Sequence, residues 1–390
     1  MNVAADVKYW LWLGTLAGVS ARTAKALTDL FGNPYEVWRQ PTGVFARLGF
    51  LSRQAVAQLT DPAARAGLDE RVAALRARGI EIVTPEDARY PEHIRQIADP
   101  PTVLFMRGER PAAPGERAVA VVGARHPSAY GLAVTKKLVS GLVAYGFTIA
   151  SGLAMGIDAA AHAEAIASGG KTIAFLGCGV EQAYPASNRR LMEEVLRRGA
   201  VYSEYPPGTP PLSYHFPQRN RLVSGMSLGV LVVEAGEKSG ALITAGLAGE
   251  QGRDVFAAPG NITSPLSRGT NALLRDGAGL VTSAEDVVFA LNPYFDGGPW
   301  TGPPPSATAA ASAKALTAAR AAGLTERIEA LDGPERDLAR LLRDRGPLDH
   351  DALAALGGLG AREVGAAVIK LELKGLIRRT PNGLCEVAGD

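Results

Sequence analysis

Ala118-Val119-Ala120-Val121-Val122-Gly123-Ala124-Arg125 runs five apolar residues straight into a glycine turn. An unbroken apolar run of this length reads as a strand buried on both faces. The same texture returns at residues 148–150, 172–176, 200–204, 230–234, 254–258 and 279–281, and helical patterns follow most of these runs. Two further strands are expected at 81–83 and 103–106, flanking a helical piece at 91–97. Buried strands alternating with amphipathic helices predict an α/β fold: an extended Rossmann-like, doubly wound, mostly parallel sheet covered on both faces.

Outward from this core the texture changes twice. Residues 1–78 read as a small helical domain, with periodic segments at 7–16, 21–31, 35–39 and 53–59. Gly18, Gly32-Asn33-Pro34 and Gly49 break them, and Ser20 is placed to cap the second. Gly18-Val19-Ser20 and Gly49-Phe50-Leu51 resemble helix-hairpin-helix turns, but a plain helical bundle explains them as well. The core is expected over 79–295. Residues 296–330, rich in Gly, Pro, Ser and Ala, suit a flexible linker. Residues 331–390 carry helical patterns at 334–344, 349–356 and 361–374, then strands at 376–379 and 384–387 joined by Pro381-Asn382-Gly383. Three helices and a hairpin predict a winged helix. From Asp332 onward nine Lys or Arg face ten Asp or Glu, so this unit lacks the basic bias of a phosphate-binding module.

Bulk composition narrows the function classes. At 390 residues the chain is long enough for two or three domains. Its two cysteines, Cys178 and Cys385, lie far apart and neither belongs to a Cys-x-x-Cys pair. A disulfide framework or structural zinc site is not expected, and a reducing cytoplasm fits. No apolar stretch reaches the ~18 residues of a membrane span, so no membrane partner is expected. The first ten residues, with Asp6 and Lys8, lack a basic region followed by a long apolar core, so a secretory signal is not expected there. Net charge is only +2, so any nucleic-acid surface must come from local clustering.

Ligands of open α/β sheets sit at the carboxyl ends of the strands. There the sequence offers a series of glycine turns. Gly123 and Arg125 follow the first strand of the series, with Ser128 opening a helix. Ser151 and Gly152 follow the second, with Gly156 and Asp158 opening another. Gly177-Cys178-Gly179 follow the third, with Tyr184-Pro185 and then Asn188, Arg189 and Arg190 beyond. Glu234-Ala235-Gly236 lead to Ser239, Gly240 and Thr244, and Pro259-Gly260-Asn261 close the series. Glycines let backbone approach a ligand, and helix N-termini attract anions. Each turn alone is a common strand-to-helix connection. Five on one edge predict an anion-binding rim.

One segment stands apart: His215-Phe216-Pro217-Gln218-Arg219-Asn220-Arg221. Arginines pair with phosphate, and an exposed Phe stacks any base. Arg219, Asn220 and Arg221 are expected on the rim, with Phe216 placed equally well in the core. Lys171, at a strand start, belongs to the opposite edge. Asp158 and His162 share a helix face, and Asp158 is best explained as ordering its loop. Gly225-Met226-Ser227-Leu228-Gly229 precedes a strand and Gly170-Lys171-Thr172 lacks its upstream glycine, so neither hydrolase nor P-loop chemistry is supported.

These motifs, from Tyr90-Pro91 through Val121–Arg125, Ser151–Asp158 with His162, Gly177–Gly179, Tyr184-Pro185, Ser203–Pro206, Phe216–Arg221, Glu234-Ala235 and Ser239-Gly240 to Pro259-Gly260, resemble the DprA/Smf family of DNA-processing proteins over residues 80–290. The resemblance implies a non-enzymatic protein without cofactor or metal. It implies binding of single-stranded DNA, without strong sequence preference, during natural transformation. It implies loading of RecA recombinase onto that strand, single-strand-binding protein as a further partner, and a homodimer formed through the Rossmann-like domain. Leu212-Ser213-Tyr214 stands where relatives carry a basic residue before the Phe. The alternative is a nucleoside-monophosphate phosphoribohydrolase of the lysine-decarboxylase-like group. The turn at 234–242 offers no acid aligned with that group's catalytic Glu.

Overall fold

The computed structural model describes residues 3–109, 117–291, 325, 327–346, 348–374, 376–379 and 385–387. Helices α1 (Val3–Thr15), α2 (Ala21–Phe31), α3 (Pro34–Arg39), α4 (Thr42–Phe45), α5 (Arg53–Thr60), α6 (Pro62–Arg65) and α7 (Leu68–Ala77) precede the first strand. Their brevity follows from frequent caps. Ser20, Asn33, Ser52 and Asp61 each accept a backbone N–H from the turn they start. Helices α4 and α6 span one turn each, too short to show a period. Helix α7 did carry a signal, in the spacing of Leu68, Val72 and Leu75.

The sheet contains β1 (Glu81–Val83), β2 (Leu104–Gly108), β3 (Ala118–Val122), β4 (Thr148–Ser151), β5 (Thr172–Phe175), β6 (Gly199–Ser203), β7 (Gly229–Val232), β8 (Asp254–Ala257) and β9 (Gly279–Leu280). Between them run α8 (Glu92–Arg95), α9 (Ala129–Ala144), α10 (Ile157–Ala167), α11 (Arg189–Arg198), α12 (His215–Met226), α13 (Gly240–Glu250) and α14 (Arg268–Arg275), and α15 (Ala284–Leu291) follows β9. The order is β1-β2-β6-β5-β4-β3-β7-β8-β9. Strands β6 to β9 along that order pair in parallel, while β2 and β1 add antiparallel at one edge. The chain winds outward from β3 to β6, then returns to lay β7 against the other side of β3. Strand order therefore reverses between β3 and β7.

Alternation along β3 explains its sequence. Ala118, Ala120 and Val122 enter the core of one face, and Val119 and Val121 that of the other. The N-terminal helices have a core of their own, formed by Trp12, Leu13, Leu27, Val37, Phe45 and Leu59, and α1 and α7 also pack on the sheet. Val7, Trp10 and Leu11 of α1 and Val72 of α7 share one core with Ile82, Phe105, Val201 and Met192. The described residues up to 291 belong to one compact unit.

The second unit holds α16 (Gly333–Arg345), α17 (His350–Gly357), α18 (Ala361–Leu373), β10 (Ile377–Arg379) and β11 (Cys385–Val387). β10 and β11 pair antiparallel, and Leu348 bridges to Cys385. This is a winged helix with a core of Leu338, Leu342, Leu353, Val368 and Leu371. Lys370 and Lys374 both turn to Glu335, at 3.1 and 2.6 Å. The expected turn at 381–383 and residues 296–324 of the expected linker lie outside the described residues. Among the described residues no single helix is long and apolar enough to cross a membrane.

Candidate nucleic-acid interface

In a doubly wound sheet a crevice opens where strand order reverses, because connections on the two sides leave over opposite faces. Here it opens beyond the carboxyl ends of β3 and β7, with a volume of about 590 Å³. Its wall is built from the turn 123–126 after β3, Gly152 and Ala154 after β4, the first turns of α12, and residues 238–244 at the start of α13.

Arg219 forms the floor. Its side chain is 4% exposed, and one guanidinium nitrogen donates to the Phe175 carbonyl at the end of β5. The guanidinium lies on Gly152, where a Cβ would occupy its place. Asp158 accepts the Gly152 N–H at 3.1 Å, which fixes the same turn. Burial pushes the Asp158 carboxyl up, and the nearby Arg219 opposes that push. Burial likewise lowers the pKa of Arg219, with Asp158 opposing. No carboxylate comes within ion-pairing distance of Arg219 among the described residues, and its Nε has no hydrogen-bond partner. Asp158 offsets the charge of Arg219 through its field without forming a salt bridge, so the cation's crevice side is open to a further anion. Above it Arg125 and Lys238 are exposed and make no ion pair among the described residues.

The glycines act by close approach. Gly156 has φ +78°, and a Cβ on it would collide with the Ala124 carbonyl. A Cβ on Gly123 would meet Ile157 and the Glu234 carbonyl. Gly240 and the buried Thr244 also line the crevice, and Ser239 caps α13 by accepting the Ala241 N–H at 3.3 Å. Asn220 donates to the Gly240 carbonyl at 3.4 Å, tying α12 to α13. Phe216 is half-buried, stands over Gly177 and forms part of the wall.

Four expected rim residues turn out to be used inside the protein. Arg221 points away from the crevice. It donates to both Glu204 oxygens at 3.0 and 2.7 Å and to Asp99 at 3.0 Å. Residues two apart on a helix do not share a face, so Arg219 and Arg221 serve different surroundings. Burial pushes the Glu204 carboxyl up, against Arg221. Burial acts to lower Arg221, but Glu204 and Asp99 outweigh it and hold its pKa above the ordinary value. Ser128 is occupied as well: its N–H and hydroxyl donate to the buried Glu234 carboxylate at 2.8 and 2.6 Å. The N-terminus of α9, expected to attract a ligand anion, is filled by this internal one. The Ser151 hydroxyl donates to the Val121 carbonyl at 2.7 Å. Asn188 donates to the Leu153 and Ala154 carbonyls at 3.0 and 3.2 Å and so holds the turn after β4. Arg189 is exposed at the start of α11, beyond the crevice. Lys238 and His126 line the crevice without having been singled out. Both stand inside turns that the glycine pattern marks.

His162 lies behind the site. Its Nδ1 is 2.6 Å from the Thr172 hydroxyl, which itself donates to the Ile149 carbonyl. The hydroxyl has one proton, so Nδ1 is the donor and the buried, unpartnered Nε2 is bare. Burial, helped by the field of Arg219, pulls His162 down to about 3. The folded pKa lies below the unfolded one, so the folded state binds fewer protons between them. Stability is full above the unfolded value of about 6.5 and is lost as pH falls toward about 3. Lowering the pH from 7.5 to 5.5 is expected to cost about 1.4 kcal/mol through this group. Denaturant midpoints of the parent and of His162→Gln at both pH values check this. Equal pH dependence in the two proteins would discard it.

A model of the family described as DNA recombination-mediator protein A matches residues 81–292. A model of the DprA winged helix domain matches residues 303–383. The chain is 32% identical to protein Smf of Synechocystis, with 97% of this chain and 98% of that one covered. It is 42% identical over 220 residues to DNA processing protein DprA of Bacillus subtilis, covering 56% of this chain and 74% of the relative. The X-ray structure of DprA from Streptococcus pneumoniae matches with a TM-score of 0.64 at 36% identity, covering 73% of this chain and 97% of that one.

Proposed function

Because the chain belongs to the DNA recombination-mediator protein A family, we propose that its switch-point crevice binds single-stranded DNA without strong sequence preference in natural transformation. We further propose that the bound strand is passed to RecA recombinase, and that the chain works as a homodimer through its Rossmann-like unit. The observation that carries the binding reading is Arg219, a buried cation that forms no salt bridge and lines one crevice with the exposed Arg125 and Lys238. Such a set attracts phosphates, which carry no base identity. A crevice that buries its cation at the end of a sheet takes a flexible single strand more readily than a stiff duplex.

The test is a mobility-shift comparison of single- and double-stranded oligonucleotides across a salt series. Single strands are expected to bind far better, with affinity falling as salt rises. Arg125→Ala and Lys238→Ala are each expected to weaken binding and to lower the salt slope by about 0.7. Lys171→Ala is expected to change little. Equal affinity for blunt duplex, or an Arg125→Ala protein that folds and binds like the parent, would refute the crevice as the DNA site.

A further inference from the structure

The crevice accounts for phosphates and leaves an aromatic step beside it unexplained. Tyr184 stands in the loop after β5 and is 46% exposed. Its ring stacks on Phe216, with centroids 5.2 Å apart and planes 29° apart. Phe216 is crevice wall, so Tyr184 is the outer ring of a two-ring stack whose inner ring belongs to the site. A lone exposed tyrosine needs no explanation. This one is followed, four residues on, by Asn188, which holds the Leu153–Ala154 turn, and Ala154 itself lines the crevice. Arg189 and Arg190 come next, exposed on the first turn of α11, and Arg189 makes no ion pair among the described residues.

The two ways out of the crevice differ in kind. Toward β8 stand the unpaired Lys238, Arg268 at 3.7 Å from Glu237, and Tyr130, whose hydroxyl donates to the Pro259 carbonyl, with no stacked ring pair among the described residues. Toward β5 the order is wall ring, exposed ring, free arginine. A single strand presents base and phosphate in alternation, and sites for it combine stacking rings with cations.

We propose that a strand leaving the crevice lays one base on Tyr184 and sets its next phosphate beside Arg189. The site then runs from the β3–β7 switch point across β5 toward α11. The proposal rests on the single-strand reading of the crevice and gives that site a direction and a base-stacking step.

The experiment uses the full chain and oligothymidylates of increasing length. An abasic residue is then moved along one oligonucleotide long enough to reach full affinity. Tyr184→Ala is expected to bind that oligonucleotide about tenfold more weakly at an unchanged salt slope, and Tyr184→Phe to match the parent. The shortest strands, which fill the crevice alone, should bind the parent and Tyr184→Ala alike. One abasic position should cost the parent about tenfold and Tyr184→Ala nothing further, because both changes remove the same stack. Arg189→Ala should lower the salt slope by about 0.7 on long strands only. Melting curves confirm that each variant is folded. A folded Tyr184→Ala that equals the parent at every length overturns the proposal, as does an abasic cost that persists in that variant. A parent that binds no single strand at any length brings down the crevice reading instead, and this proposal with it.

Discussion

Arg221→Ala is expected to lose about 3–5 kcal/mol of stability, enough to unfold much of the population at 37 °C. The residue is 9% exposed and bonds three carboxylate oxygens of Glu204 and Asp99. Its removal leaves Glu204, whose side chain is only 17% exposed, as a largely buried carboxyl without its cation. Arg221→Lys should recover only part of the loss, because a single ammonium cannot reproduce the two-pronged contact to Glu204 while reaching Asp99. Denaturant midpoints check the size of the effect. Binding of single strands per folded molecule should keep the parental salt slope, since no phosphate contact is lost. An Arg221→Ala protein that melts like the parent and loses slope would return the residue to the DNA site.

That contrast shows where sequence reading stops. The buried strands were legible because a parallel sheet covered on both faces leaves an unbroken apolar run, as at Ala118–Val122. The close turns that line the crevice were legible because Gly123, Gly152 and Gly156 stand where a Cβ would collide with its surroundings. The separation of Arg219 from Arg221 was also open to reading, since the helical period places them on different faces. What lay beyond reach was the partner of each polar group. Ser128 and Glu234 are 106 residues apart, and Arg221 and Asp99 are 122 apart. A serine at a helix start looks the same whether it awaits a phosphate or holds an internal carboxylate. Only the folded chain decides that, and for Ser128 it gives the internal carboxylate.

The N-terminal helices set the same problem on a larger scale. Helix α1 reads as apolar nearly all round, which announces burial but not what covers each side. Here Val7, Trp10 and Leu11, with Val72 of α7, close over Ile82, Phe105 and Val201 of the sheet and Val103 just before β2. Burying each such side chain contributes about 1.5–3 kcal/mol, so the four together contribute roughly 6–12 kcal/mol. Whole domains are stable by only about 5–15 kcal/mol. Deleting residues 1–78 is therefore expected to leave 79–295 without a cooperative melt, and aggregated through the uncovered sheet face. Trp10→Ala, a milder cut at the same contact, should cost about 3–5 kcal/mol. Thermal melts and size-exclusion profiles of the fragment and of the point variant give the check. A monomeric fragment with the parental midpoint would show that the helices only decorate the sheet. The expectation also governs how a binding experiment on the fragment is read. Loss of DNA affinity there would follow from unfolding and would not place the site on the helices. Only a variant that keeps the α1 contact with the sheet, and changes an exposed residue such as Arg22 or Arg53, separates a helical DNA surface from a structural lid.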